Sequence, residues 1–205
     1  MQARDADDRL LMPRQVFVLS GPSGVGKNTV AAELCRRGRA VRGVTATTRS
    51  PRRGERDGVD YTFLDEDTFS RWVEEGRLVE HTSYVGHRYG TPLASVNRAA
   101  RSGLPVILTI DVDGGLQVKR RWPEVTLVFL AAPSQEELRR RIERRGGVEP
   151  DTLRRRMARA RHEQQCADQY DFCVVNDEIE KVTQQIEAIM AEKFGPNGNG
   201  SDPER

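Results

Sequence analysis

The chain has 205 residues, with 33 Lys and Arg against 31 Asp and Glu, a formal net charge of +2. That near balance argues against a polybasic binder of nucleic acid, and 6% aromatic residues leave little for stacking single-stranded bases. No apolar run approaches the length of a membrane span, and residues 1–14 lack the apolar stretch of a secretory signal. The length suits one domain with room for an insertion. Cys35, Cys166 and Cys173 form no C-x-x-C pair, so they read as reduced thiols of a cytoplasmic protein.

Residues 1–14 and 195–205 are polar and aperiodic, and are set aside as disordered tails. Between them, short apolar runs alternate with helix-period segments. Residues 16–20 (VFVLS) form a strand, and a helix runs to residue 37. Residues 45–91 break the rhythm. They are polar and turn-rich, and read as an inserted binding segment outside the sheet core, with a strand at 78–84. A helix at 92–102 closes on Gly103. Continuous apolar runs at 106–110 (VILTI) and 125–130 (VTLVFL) suit parallel strands buried on both faces. A helix over 134–145 starts with Ser134 and Glu137 in capping-box spacing. A charged helix at 151–165, a strand at 172–175 and a closing helix at 178–194 complete the chain. The alternation predicts an α/β fold, a parallel sheet covered by helices.

The first strand runs into Gly21-Pro22-Ser23-Gly24-Val25-Gly26-Lys27-Asn28, with Thr29 next. The spacing G-x-x-x-x-G-K between a strand and a helix is that of a P-loop. Its glycines let backbone N–H groups converge on phosphate oxygens at a helix N-terminus, and Lys27 adds a point charge. An oligophosphate such as that of a nucleoside triphosphate is the expected ligand. After the lysine a P-loop usually carries Ser or Thr, whose hydroxyl ligates Mg²⁺. Here Asn28 offers an amide oxygen instead, with the Thr29 hydroxyl beside it. Asp111, at the end of the 106–110 strand, is the second candidate Mg²⁺ ligand. The alternative for Asp111 is a plain helix cap.

In Thr47-Thr48-Arg49-Ser50-Pro51-Arg52, two arginines three residues apart flank a proline that keeps the chain extended. Two guanidinium forks on such a turn can grip one phosphate monoester. Together, the runs GPSGVGK, TTRSPRRGE, DGVDY, LVEH, RYGT, IDVDG, APS (132–134), an arginine-rich stretch and VVND (174–177) closely resemble the guanylate kinase family, over roughly residues 16–194. The resemblance implies a P-loop NTPase-type fold with an inserted GMP-binding subdomain (about 45–91) and an arginine-rich lid (about 135–161). It also implies transfer of the ATP γ-phosphoryl to GMP or dGMP, with Mg²⁺ as the metal.

Residue by residue, Arg49, Arg52, Tyr61 and Tyr89 match the family's grip on the GMP phosphate. Glu80 matches its guanine-reading carboxylate, helped by Thr45 and Thr91. Guanine offers two adjacent N–H donors to a carboxylate and adenine does not, which agrees with that assignment. Asn176 and Asp177 match the adenine-side contact. From 136 to 161 the chain carries ten arginines against five acids, and most of them read as solvated helix faces. By position Arg145 and Arg156 match the lid arginines, with Lys27 and Arg49 as the other catalytic cations.

Two positions depart from the family. Asn28 replaces the hydroxyl residue, and Thr109 stands where an acid is usual. They leave open a related kinase with another phosphorylated acceptor, a modified nucleotide or sugar phosphate. A non-catalytic binding module is a more distant alternative, disfavoured by the intact glycine loop. The expected partners are small molecules, with neither nucleic acid nor membrane; the oligomeric state stays open, a homodimer included.

Overall fold

The computed structural model describes residues 10, 12–84, 86–144 and 150–195. In chain order these form β1 (Val16–Ser20), α1 (Lys27–Arg36), β2 (Val41–Arg42), β3 (Ala46–Thr47), β4 (Thr62–Phe63) and α2 (Glu66–Glu74). There follow β5 (Leu78–Tyr84), β6 (His87–Pro92), α3 (Leu93–Ala100), β7 (Val106–Thr109) and α4 (Val112–Arg121). The last elements are β8 (Thr126–Ala131), α5 (Gln135–Arg144), α6 (Pro150–Gln165), β9 (Phe172–Val175) and α7 (Ile179–Phe194).

The main sheet is parallel throughout, in the order β2-β7-β1-β8-β9. Side chains alternate along β1. Val16 and Val18 enter one apolar cluster with residues of α3 and α4, while Phe17 and Leu19 enter another with residues of α1, α5 and α7. A strand buried on both faces must be apolar at every position, which is why these runs showed no alternation. Each fully buried side chain of this size stabilises the fold by about 1.5–3 kcal/mol. The α/β expectation is met.

The insertion has more order than its polar composition suggested. It builds a second sheet, β4-β3-β6-β5, outside the main one. Its small core joins Ala46, Phe69 and Leu78, and Phe69 comes from α2, a helix that the sequence reading did not foresee. That helix is started by Asp65, whose side chain accepts from Thr68 N at 2.6 Å. The N-terminal tail also needs correction. Leu10 is buried, Pro13–Gln15 form a 3₁₀ turn, and Gln15 Nε2 donates to Ala100 O at 2.9 Å. So Leu10 and Gln15 pack into the body, while Met12 and Arg14 stay exposed. The three cysteines are free thiols, and among the described residues no helix is long and apolar enough to cross a membrane.

Candidate functional site

A single cleft runs from the loop before α1 to the second sheet. Ser23, Gly24, Gly26, Lys27 and Asn28 line one end, and Thr45, Tyr61, Glu80 and Tyr89 the other. Thr109 and Asp111, at the end of β7, lie along it as well. Parallel β-strands point their C-terminal ends at such a crevice, where α/β sheets place ligands.

At the loop end, the geometry follows from glycine. Gly21, Gly24 and Gly26 all have positive φ. At Gly26 (φ 105°) a Cβ would also stand 2.5 Å from Asn176 Nδ2, so conformation and space both require glycine. Val25 is wholly buried in the core. Its carbonyl accepts from Asn176 Nδ2 at 2.7 Å and from Arg141 Nη1 at 3.3 Å. Lys27 Nζ donates to Gly21 O at 2.5 Å and Pro22 O at 3.2 Å, folded over its own loop. The loop is thus braced from behind, with α1 opening directly from it. Such a cradle suits an oligophosphate.

At the other end, Glu80 is buried, and its Oε1 accepts from the Thr91 hydroxyl at 2.7 Å. Burial pushes its pKa up to about 7; the Thr91 bond opposes the rise and the charge of Asp111 adds to it. A Cβ at Gly114 would lie 2.9 Å from Glu80 Oε2 and 3.1 Å from Asp111 Oδ1. The bare Cα of Gly114 is therefore the wall that both carboxylates share.

Asp111 is the N-cap of α4, its Oδ1 accepting from Gly114 N at 2.8 Å. The cap role and the cleft role thus coexist in one carboxylate. Its Oδ2 lies 3.3 Å from Arg159 Nη2.

The acceptor arginines are arranged differently from the cleft walls. Arg49 clasps Glu55 through two bonds of 3.0 and 2.9 Å and stacks 5.4 Å from the Tyr61 ring. Glu55 holds the guanidinium more firmly charged. Tyr61 in turn meets Tyr89 edge-on at 6.3 Å. Arg52 is exposed, and its backbone N–H donates to Glu55 Oε2 at 2.7 Å. Neither arginine lines the cleft in this arrangement, and Thr91 sits behind Glu80 rather than on the surface.

Of the remaining candidates, Thr29 is exposed beside the cleft-lining Asn28. Asn176 braces the loop instead of facing the cleft, and exposed Asp177 receives the Glu178 N–H at 2.6 Å. Arg145 lies outside the described residues. Arg156 is half-buried on α6 and absent from the lining; one turn along, Arg159 is present. The solvated-face reading holds for Arg139, Arg140 and Arg154, each paired to an acid on its own helix. The first helix of that stretch is anchored, with Leu138 and Ile142 in the core beside Val25.

Arg42, Thr82, Arg159 and Glu163 also line the cleft and were not singled out from sequence. Arg42 Nη2 reaches Thr109 Oγ1 at 3.5 Å. For Arg159 and Glu163 the only signal was i,i+4 spacing within a run of charge.

A family model described as guanylate kinase matches residues 13–193. A guanylate kinase of Thermus thermophilus is 46% identical over 179 residues, 87% of this chain and 81% of that protein. One of Thermobifida fusca is 45% identical over 180 residues, 87% of this chain and 92% of its own length. The crystal structure of guanylate kinase from Anaplasma phagocytophilum superposes with a TM-score of 0.70 at 32% identity, covering 87% of this chain and 86% of that one.

Proposed function

The chain belongs to the guanylate kinase family, and on that premise we propose that its cleft moves the γ-phosphoryl of ATP to GMP or dGMP, giving ADP and the nucleoside diphosphate. The observation that carries this reading is the pairing, in one cleft, of a braced phosphate loop with a buried carboxylate. Each half selects a different ligand.

The loop, from Gly21 to Thr29, takes the ATP phosphates on its backbone N–H groups, and Lys27 turns from its own carbonyls to the β- and γ-phosphates. Glu80, kept in place by Thr91, accepts the two guanine donors, with Thr45 beside it. An adenine there would leave a buried carboxylate unpaired, and sites built on such bonds discriminate by about 10⁴–10⁵. Arg49 swings from Glu55, and Arg52 in from solvent, to the GMP phosphate, with Tyr61 and Tyr89 completing the grip. The acceptor is already an anionic oxygen, so the reaction needs no strong base. Catalysis is then positioning and charge stabilisation, in which Arg145 and Arg156 join Lys27 and Arg49. Asn176 serves ATP indirectly, by holding the loop, and Asp177 stands at its adenine end.

Asp111 and Asn28 are hard oxygen donors in the same cleft. Mg²⁺ keeps most of its waters and needs only one or two protein oxygens beside substrate phosphates, so this donor set fits it. When bound, Mg²⁺ supplies charge neutralisation at the β- and γ-phosphate oxygens. The free thiols agree with a reducing compartment, and we place the enzyme in the cytoplasm.

The test is ADP formation from ATP and Mg²⁺ with GMP, dGMP, AMP, CMP, UMP and IMP offered in turn. Turnover with GMP and dGMP alone is expected. Turnover with another acceptor only, or with none while ATP still binds, overturns the reading.

A further inference from the structure

Arg159 differs from the surface arginines of α5 and α6. Arg139, Arg140 and Arg154 pair with acids on their own helices at the surface, where such bridges contribute little. Arg159 reaches off its helix into the cleft, its Nη2 3.3 Å from Asp111 Oδ2. Its Nε donates to Glu163 Oε1 at 2.9 Å, one helical turn along.

Glu163 supplies a second, independent sign. It lines the same cleft yet is only 7% exposed, and its Oε2 has no hydrogen-bond partner. A buried carboxylate left half-satisfied is costly, and such a group persists where it serves a ligand or a neighbour. Here its other oxygen fixes the plane of a guanidinium. Asp111 is equally fixed, as the cap of α4. Two immobile carboxylates thus aim one rigid fork of donors at the space between Asp111 and the glycine loop. That fork matches phosphate oxygens in a way an ammonium does not. Arg159 also sits on Asp111, the carboxylate best placed for the metal.

We propose that Arg159 is a further catalytic residue of the phosphoryl transfer and Glu163 its positioning residue. With nucleotide bound, the guanidinium exchanges Asp111 Oδ2 for oxygens of the moving phosphoryl group, while Glu163 keeps its orientation. The bond formed joins a GMP phosphate oxygen to the γ-phosphorus. The bond broken is that from the γ-phosphorus to the bridging oxygen, whose electron pair stays on ADP. Arg159 neither gives nor takes a proton; it stabilises the negative charge on the oxygens of the moving phosphoryl group. This inference rests on the phosphotransferase reading above.

Steady-state rates with ATP and GMP test it in the wild type, Arg159→Ala, Arg159→Lys and Glu163→Gln. An arginine reaching the transferring group is worth about 10³–10⁵ elsewhere, and with other arginines sharing the load Arg159→Ala should lower kcat about 100-fold. KM for GMP should stay within about threefold, the split expected of a contact made in the transition state. Arg159→Lys should recover only part of kcat, and Glu163→Gln should lower kcat about tenfold with KM unchanged. A kcat for Arg159→Ala within about threefold of wild type overturns the proposal, as does a rise in KM alone, the signature of an ion pair that only holds α6 in place. If Arg159→Ala does not fold, Arg159→Lys carries the same comparison, full kcat counting against the proposal. An inactive wild type would instead sink the phosphotransferase reading, so the two failures are distinct.

Discussion

In the proposed reading, the two ends of the cleft bind phosphate by opposite means. At the ATP end the ligands are backbone N–H groups on a loop whose glycines, buried Val25 and Asn176 brace leave it one shape. At the GMP end the phosphate ligands are side chains, and in this arrangement Arg49 is folded onto Glu55 while Arg52 points to solvent. The first is preorganised and the second must be assembled. Backbone placed by the fold pays its ordering entropy at folding, whereas a long side chain is ordered again at each binding event.

The contrast can be broken most severely at its charged centre. Lys27→Ala should lower kcat by about 10³-fold, the upper range for removing one donor from a preorganised site; single-turnover rates with ATP and GMP measure it. Next comes Glu80→Gln, expected to reduce kcat/KM for GMP by about 100-fold, because a charged acceptor of two donors is lost. A comparison of GMP with IMP, which lacks the amino group, would show the difference collapsing.

Glu80 also makes the contrast pH-dependent. Its pKa in the folded protein is pushed up to about 7, and in the proposed reading it is the ionised carboxylate that accepts both guanine donors. KM for GMP should therefore rise as pH falls below about 7, and that limb should vanish in Glu80→Gln. For stability the sign is opposite. The folded state holds the proton more tightly than the unfolded chain, so this contribution is full below the ordinary glutamate range and is lost as pH rises through about 7. Glu80→Gln should accordingly raise Tm more at pH 8 than at pH 5.

Smaller effects sharpen the comparison. Asn176→Ala strands the Val25 carbonyl from that donor and loosens the cradle; KM for ATP should rise about tenfold, from about 1–3 kcal/mol of lost hydrogen bonding. GMP affinity, measured by calorimetry, should not move. Glu55→Gln acts at the other end and should tighten GMP binding by about threefold at most, since Arg49 then gives up less in leaving its partner and a partly exposed ion pair contributes roughly 0–1 kcal/mol.

How much of this could be read from sequence follows the same division. The glycine loop was legible because its function lies in backbone geometry, and glycine spacing records that geometry directly. The strands of the main sheet were legible because burial on both faces demands unbroken apolar runs. Helix α4 was missed because Gly114 and Gly115 stand in its first turns, and glycine there argues against a helix. In the insertion's small sheet β5 was legible, whereas β3 and β4 were missed because two-residue strands show no period. Among ten arginines, composition could not tell which faces the cleft. That depends on how α6 is rotated against β7, a tertiary fact, and it is Arg159 and not Arg156 that lines the cleft among the described residues.

Gly114 has an implication for changing what this enzyme accepts. The missing side chain lets Glu80 and Asp111 share the space that a Cβ at 114 would fill. Any side chain at 114 would press on the reader of the base and on the carboxylate nearest the transferred group together. Selection for a new base therefore cannot proceed through this position without penalising the chemistry. Variation at Thr45 or Thr82, which also line the cleft, leaves Gly114 unchanged and gives a redesign its entry point.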